Sequence, residues 1–146
     1  MTGNAVVTPE ERHRMVAETA YFLAQERGFT GGDPFSDWIE AERRVDRQLW
    51  AIATARMVER LESGVAAAAK KVGALKRRVA TLAASARTEV NADVERLDTL
   101  KVALQGKLHE LREHGDQVTD KALRQAEKVW SDLSDALQRV TARTQH

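Results

Sequence analysis

Residues 58–82 read VERLESGVAAAAKKVGALKRRVATL, and the apolar steps in this stretch decide the fold class. Val58, Leu61, Val65, Ala68, Val72, Leu75, Val79 and Leu82 recur at alternating intervals of three and four, which places them on one face of a helix. A strand would repeat every two residues. The stripe continues through Ala86, Val90, Val94, Leu97, Leu104, Leu108, Leu111, Val118, Ala122, Ala126, Trp130, Leu133, Leu137 and Val140, with only Lys101 and Gly115 departing from it. Its mean step is about 3.6 residues, between a strict heptad and a straight helix, so any supercoil is shallow. A chain of this period is all-α.

An apolar seam of such length needs cover. In its first part valine fills one heptad position and leucine the other, a choice that favours two parallel helices. The expected oligomer or partner seam is therefore Val58, Leu61, Val65, Val72, Leu75, Val79, Leu82, Leu97, Leu104, Leu111, Trp130, Leu133 and Leu137, covered by a second copy of the chain, with a dimer favoured, or by a larger protein assembly. The spacing predicts a long coiled-coil helix over 51–114 and a C-terminal helix over 117–143 that folds back. The bend falls at His114, Gly115 and Asp116, where a C-cap glycine meets a capping aspartate and Thr119 offers another capping oxygen. Thr88 to Asp93, with Asn91 at a stutter, is the alternative. Gly64, Gly73 and Gly106 read as tolerated interior glycines that cost about 1 kcal/mol each.

Ahead of this lies a different pattern. After a flexible stretch 1–7, Thr8, Pro9, Glu10 and Glu11 carry a helix start: a hydroxyl cap, a proline in the first turn and an acid three residues after the cap. Gly28 is placed to end that helix, Gly31 and Gly32 to turn the chain, and Asp33-Pro34 to begin the next helix. Residues 8–50 are thus expected to form a small antiparallel helical hairpin, with a core of Tyr21, Leu23, Phe35, Trp38 and Ile39. A binding patch of Tyr21, Trp38 and Glu42 is the functional alternative to core packing; in the packing reading Glu42 pairs with an arginine such as Arg14.

Ala20-Tyr21, Arg27-Gly28-Phe29, Gly32, Asp37-Trp38 and Ala41-Glu42, within residues 14–46, resemble a short bacterial domain of unknown function whose pattern runs AY, glycine turn, DW, AE. Some members carry a tryptophan where this chain has Ala24. The resemblance implies a small helical head and a bacterial source. That family brings no established activity and no catalytic residue.

Charge is unevenly spread. No acid stands between Glu62 and Glu89, while Lys70, Lys71, Lys76, Arg77, Arg78 and Arg87 form a basic patch; residues 1–50 hold six basic and nine acidic residues. Such a face suits phosphate backbones or anionic head groups. It also suits solvent, or acids such as Glu110 and Glu113 on an antiparallel neighbour. Aromatic residues that would stack on bases are absent from the block, so nucleic acid is not an expected partner.

The side chains that carry chemistry do not assemble into a site. His109 and His114 are five apart, about 140° around a helix, so they cannot bind zinc from one face as a spacing of three or four would. Glu10 and His13 make one Glu-x-x-His pair where a di-iron bundle needs two. Ser63, Ser85, Ser131 and Ser134 have no histidine and acid arranged around them, and no glycine-rich phosphate loop is present. The expectation is a non-catalytic interaction protein without cofactor, metal or small-molecule substrate. An amphipathic coat on a lipid membrane or polymer inclusion is the alternative, and non-specific DNA association through the basic patch a weaker one. The lack of cysteine fits a reducing, cytoplasmic setting, and Met1 to Glu11 show no secretory pattern.

Overall fold

The computed structural model describes residues 6–144; of the stretch expected to be flexible, residues 1–5 lie outside the described residues. The chain is all-α. Helix α1 spans Pro9–Glu26, α2 Pro34–Val79, α3 Ala84–Glu113 and α4 Asp120–Thr144, with a short 3-10 turn at Gly115–Gln117. It divides into two compact units, one ending at Ala55 and the other beginning at Arg56, and α2 supplies residues to both.

In the first unit the local signals act as their chemistry dictates. Thr8 Oγ1 accepts the Glu11 N–H at 3.1 Å, a cap worth about 1 kcal/mol. At the other end the Gly28 N–H donates to the Gln25 carbonyl and the Phe29 N–H to the Ala24 carbonyl, both at 2.9 Å. These are the two bonds of a Schellman ending, with Gly28 left-handed at φ 68°. Asp33 Oδ1 then accepts the Phe35 N–H at 3.2 Å and starts α2. Val16 of α1 and Ala41 and Val45 of α2 are buried together, with Met15, Ala20, Leu23, Trp38 and Leu49 packed around them.

That core differs from the expected one. Leu23 and Trp38 flank it and Ile39 is half-buried, but Tyr21 is 57% exposed and Phe35 68%. Tyr21 lies five residues beyond Val16, about 140° around the helix, and so turns away from α2. Phe35 stands in the first turn of α2, next to a loop whose glycines have no side chain to cover it. Glu42 is held by Arg12 at 3.3 Å rather than by Arg14, and Arg12 also grips Asp46 at 2.8 and 3.0 Å. Those bonds, the Asp46 pair above all, raise the Arg12 pKa above its ordinary value.

The second unit corrects the long helix expected over 51–114. The chain leaves α2 after Val79 and re-enters helix at Ala84. Thr81 and Leu82 donate backbone N–H groups to the Arg78 and Val79 carbonyls at 3.1 Å, and Thr81 Oγ1 donates to the Arg78 carbonyl at 2.7 Å. Arg87 reaches back to the Leu82 carbonyl at 2.8 Å, and Lys76, Arg77 and Arg78 occupy the negative end of the α2 dipole. No glycine or proline marks this turn. Turning here lets the seam pair with itself, and tertiary burial outweighs the weak local preference for continuing the helix.

Helix α3 runs unbroken past Asn91, so the alternative bend is not used, and the chain turns instead after Glu113. The cap of α4 is Thr119, whose Oγ1 accepts the Ala122 N–H at 3.1 Å. Gly115 is not left-handed, and His114 holds the C-cap of α3. Ion pairs fix the directions: Glu62–Arg112 at 2.7 Å and Lys76–Asp98 at 3.4 Å make α2 and α3 antiparallel. Asp93–Arg143 at 2.5 Å and Glu89–Arg143 at 3.4 Å do the same for α3 and α4. The result is a three-helix bundle.

Inside it lie Val58, Leu61, Val65, Val72, Leu75 and Val79 of α2, Leu97, Leu104, Leu108 and Leu111 of α3, and Leu123, Leu133, Leu137 and Val140 of α4. The seam expected to need a second copy is therefore closed by the chain's own helices. Leu82, in the turn, and Trp130 are half-buried. Lys101, the misfit of the stripe, sends its ammonium 2.9 Å from Asp98, keeping its stem against the bundle and its charge at the edge. The hydrogen bond from Lys101, helped by Lys76, holds the Asp98 carboxyl below its ordinary pKa against the opposing effect of desolvation.

Candidate interaction site

Apart from Val102 of α3, the large apolar side chains left in solvent among the described residues gather in the first unit. Tyr21, Phe22, Phe29 and Phe35 are each more than half exposed. Tyr21 touches Phe22 edge-on with ring centroids 6.0 Å apart, and Phe29 at 5.5 Å. Helix pitch puts Tyr21 and Phe22 on the outer side of α1, because Val16, Ala20 and Leu23 take the inner side. Phe29 joins them through an unusual backbone. Its φ is 60°, a left-handed conformation that costs a non-glycine residue about 1–2 kcal/mol.

Beside the rings lies a cavity of about 650 Å³, lined by Ala17, Ala20 and Ala24 of α1, by Tyr21, Phe29 and Trp38, and by Arg27 and Asp37. Small residues on α1 keep it open. Arg27 and Asp37 form an ion pair across it, and the Arg27 guanidinium lies over Gly32 so closely that a Cβ there would stand 1.7 Å from Nη1. Gly32 is also left-handed, at φ 70°. It thus meets two demands that no other residue type meets: a positive φ and room for the arginine.

Of the residues proposed as a binding patch, Tyr21 is exposed, Trp38 is half-buried against the core with His13 at 5.2 Å, and Glu42 is engaged by Arg12. Sequence reading missed Phe22 and Phe29. The signal for Phe22 is its position beside Tyr21 and outside the inner face; for Phe29 it is only the preceding glycine. The six residues of the basic patch are all exposed. Lys76 meets Asp98 rather than Glu110 or Glu113, and Lys70, Lys71, Arg77 and Arg78 form no ion pair among the described residues. No group of three or more potential metal ligands occurs among the described residues. None of the described helices is long and apolar enough to cross a membrane.

The residues around the cavity define a small all-α domain. Residues 11–47, about a quarter of the chain, match the family described as Protein of unknown function (DUF2934), and this segment is similar to that short domain. Every residue lining the cavity, and all four exposed aromatic residues, fall inside the match. No curated protein and no solved structure matches the chain.

Proposed function

We propose that the chain is a non-catalytic interaction protein of the cytoplasm that self-associates through the aromatic face of its first unit, with the three-helix bundle as a structural carrier. The observation that carries this reading is the contrast in burial: apart from Val102 the bundle hides its large aliphatic residues, whereas Phe22 and Phe29 each touch Tyr21 and all three remain more than half exposed. Contiguous apolar patches on a protein surface mark sites of association. A site for chemistry would need converging titratable groups, and the cavity offers one ion pair whose members neutralise each other.

Magnitudes set the expected strength. Each ring has about 100 Å² left to bury, worth roughly 2.5 kcal/mol at 25 cal/mol per Å². Three rings give roughly 7 kcal/mol, similar to the cost of bringing two chains together. A similar area buried on the facing chain supplies the surplus, so association is weak and concentration-dependent, in the micromolar to millimolar range.

Sedimentation equilibrium over that range tests it. The wild-type chain is expected to rise above monomer mass with concentration, while Tyr21→Ser/Phe22→Ser stays monomeric with unchanged helicity. A wild-type chain that remains monomeric, or a double variant with wild-type mass, overturns the reading.

A further inference from the structure

The contact between α2 and α4 changes character along its length. In one half Arg60 of α2 pairs with Glu127 of α4 at 4.0 Å, and the Trp130 ring lies against the Gly64 backbone. There the two helices close on each other. Two turns further along α2 they leave a cavity of about 650 Å³, within the roughly 300–1,000 Å³ of small-molecule sites. Leu75 and Leu137 form its floor, and Lys71 and Arg78 stand on the α2 side. Opposite these cations, where the Arg60 pair has an acid, α4 presents Ser134, Gln138 and Thr141; none of the lining residues is acidic. Neither Lys71 nor Arg78 has an ion-pair partner among the described residues, although Arg60 and Lys76 of the same helix do. No described side chain supplies their counter-charge.

Helix geometry lets both cations act on one group. Lys71 and Arg78 share a flank of α2, seven residues or about 10 Å apart, and Ala74 lies between them, about 5 Å along the axis from each. An extended lysine or arginine covers that distance, and the small alanine leaves the space above itself open. An anionic head over Ala74 thus meets two cations from α2, with hydroxyl and amide groups across the groove on α4. A bare inorganic anion would leave the leucine floor wet, and a neutral hydrocarbon would leave the cations unpaired. We propose that the groove between α2 and α4 binds a single-chain anionic amphiphile, a fatty acid or a lysophospholipid. Lys71 and Arg78 hold its head over Ala74, and its alkyl chain lies against Leu75 and Leu137. The site shares no residue with the aromatic face, so it stands or falls apart from self-association.

Isothermal titration calorimetry of the full-length chain tests it, with dodecanoate and dodecyl phosphate below their critical micelle concentrations. One-to-one binding is expected, and the tighter of the two probes tells a carboxylate head from a phosphate one. Burying one methylene fully is worth about fourfold in affinity, so octanoate is expected to bind at least tenfold more weakly than dodecanoate. Inorganic phosphate and uncharged dodecyl maltoside are expected to fall at least tenfold below dodecyl phosphate. Lys71→Gln/Arg78→Gln should weaken both probes at least tenfold, and Ala74→Trp, which fills the space under the head, should abolish binding. All three positions are exposed, and far-UV circular dichroism checks that each variant is folded. Wild-type affinity in either variant overturns the site, and affinity independent of chain length overturns the alkyl contact and the proposal with it. Binding to phosphatidylglycerol vesicles without binding of either single-chain probe also overturns it, because the basic face then meets a membrane surface and the groove holds no ligand.

Discussion

Gly64→Ala offers a sharp test of the bundle. A Cβ at this position would lie 2.8 Å from Trp130 Cη2, 3.0 Å from Cζ2 and 3.3 Å from Cζ3. Those atoms belong to a rigid ring, so the whole indole must move. On its own, alanine in place of an interior helical glycine contributes about 1 kcal/mol. Forcing an extra carbon into a packed contact costs about 1–3 kcal/mol, and Trp130, being half-buried, relieves part of this by shifting outward. The expected net effect is a loss of about 1 kcal/mol. In a Trp130→Ala background the obstruction is gone, and the same substitution should stabilise by about 1 kcal/mol, a coupling of about 2 kcal/mol between the two positions. Urea unfolding followed by circular dichroism at 222 nm measures all four corners of the cycle without depending on tryptophan emission. If Gly64→Ala stabilises equally in both backgrounds, the indole does not lie on the Gly64 backbone, and the parallel placement of α2 and α4 loses its best marker.

Other positions give independent checks. Gly32→Ala places a methyl group into the Arg27 guanidinium at a backbone φ of 70°, so it should cost the first unit about 2 kcal/mol or more, read as a lower midpoint of thermal unfolding; an unchanged midpoint contradicts the loop geometry. The folded-state pKa of Asp98 is lowered, so its contribution is present above the unfolded value of about 3.9 and is lost as pH falls through the lower folded value. Urea midpoints from pH 2 to 7 should thus fall more gently in acid for Asp98→Asn than for the wild type, and parallel curves would refute the pairing with Lys101. Among the described residues the buried Thr54 hydroxyl has no hydrogen-bond partner, so Thr54→Val should stabilise by about 1 kcal/mol, whereas destabilisation in the same urea assay would show that the hydroxyl is satisfied. Phe29→Gly relieves a left-handed phenylalanine, and we expect an equal or higher melting temperature together with weaker self-association; a lower melting temperature would mean that the ring supports the fold.

The helical class was legible because a repeat near 3.6 residues over the length of the seam has no other geometric solution. The starts of α1 and α2 were legible for a different reason: Thr8-Pro9 and Asp33-Pro34 act within one turn, so nothing distant can override them. The turn after Val79 was hidden. Residues 80–83 read Ala-Thr-Leu-Ala, which includes no residue that stops a helix, and the seam continues through Leu82 in register. What decides that turn is the gain from laying Val58 to Val79 against Leu97 to Leu111, a sum over many distant pairs. Periodicity marks which side chains are covered, and it does not say whether the cover comes from the same chain. The exposed aromatic residues were obscured in the same way, since residue type makes Tyr21 and Phe35 apolar while only the azimuth of each helix determines whether the partner helix is there to meet them.

Closing the seam within one chain changes where association energy is to be sought. Had Leu97, Leu104 and Leu133 stood in solvent, a second copy would have been required by the hydrophobic effect alone, and oligomerisation would have been as strong as folding. They are fully buried without one. What remains for a partner is smaller: the three exposed aromatic rings of the first unit. A surface of that size gives a contact that forms and dissolves with concentration. A seam substitution such as Leu97→Ala should therefore lower the unfolding free energy by about 2–5 kcal/mol while leaving the association of the folded fraction unchanged, and Tyr21→Ser/Phe22→Ser should do the reverse. If one substitution altered both quantities together, folding and association would share a surface, and the separation of carrier from contact would fail.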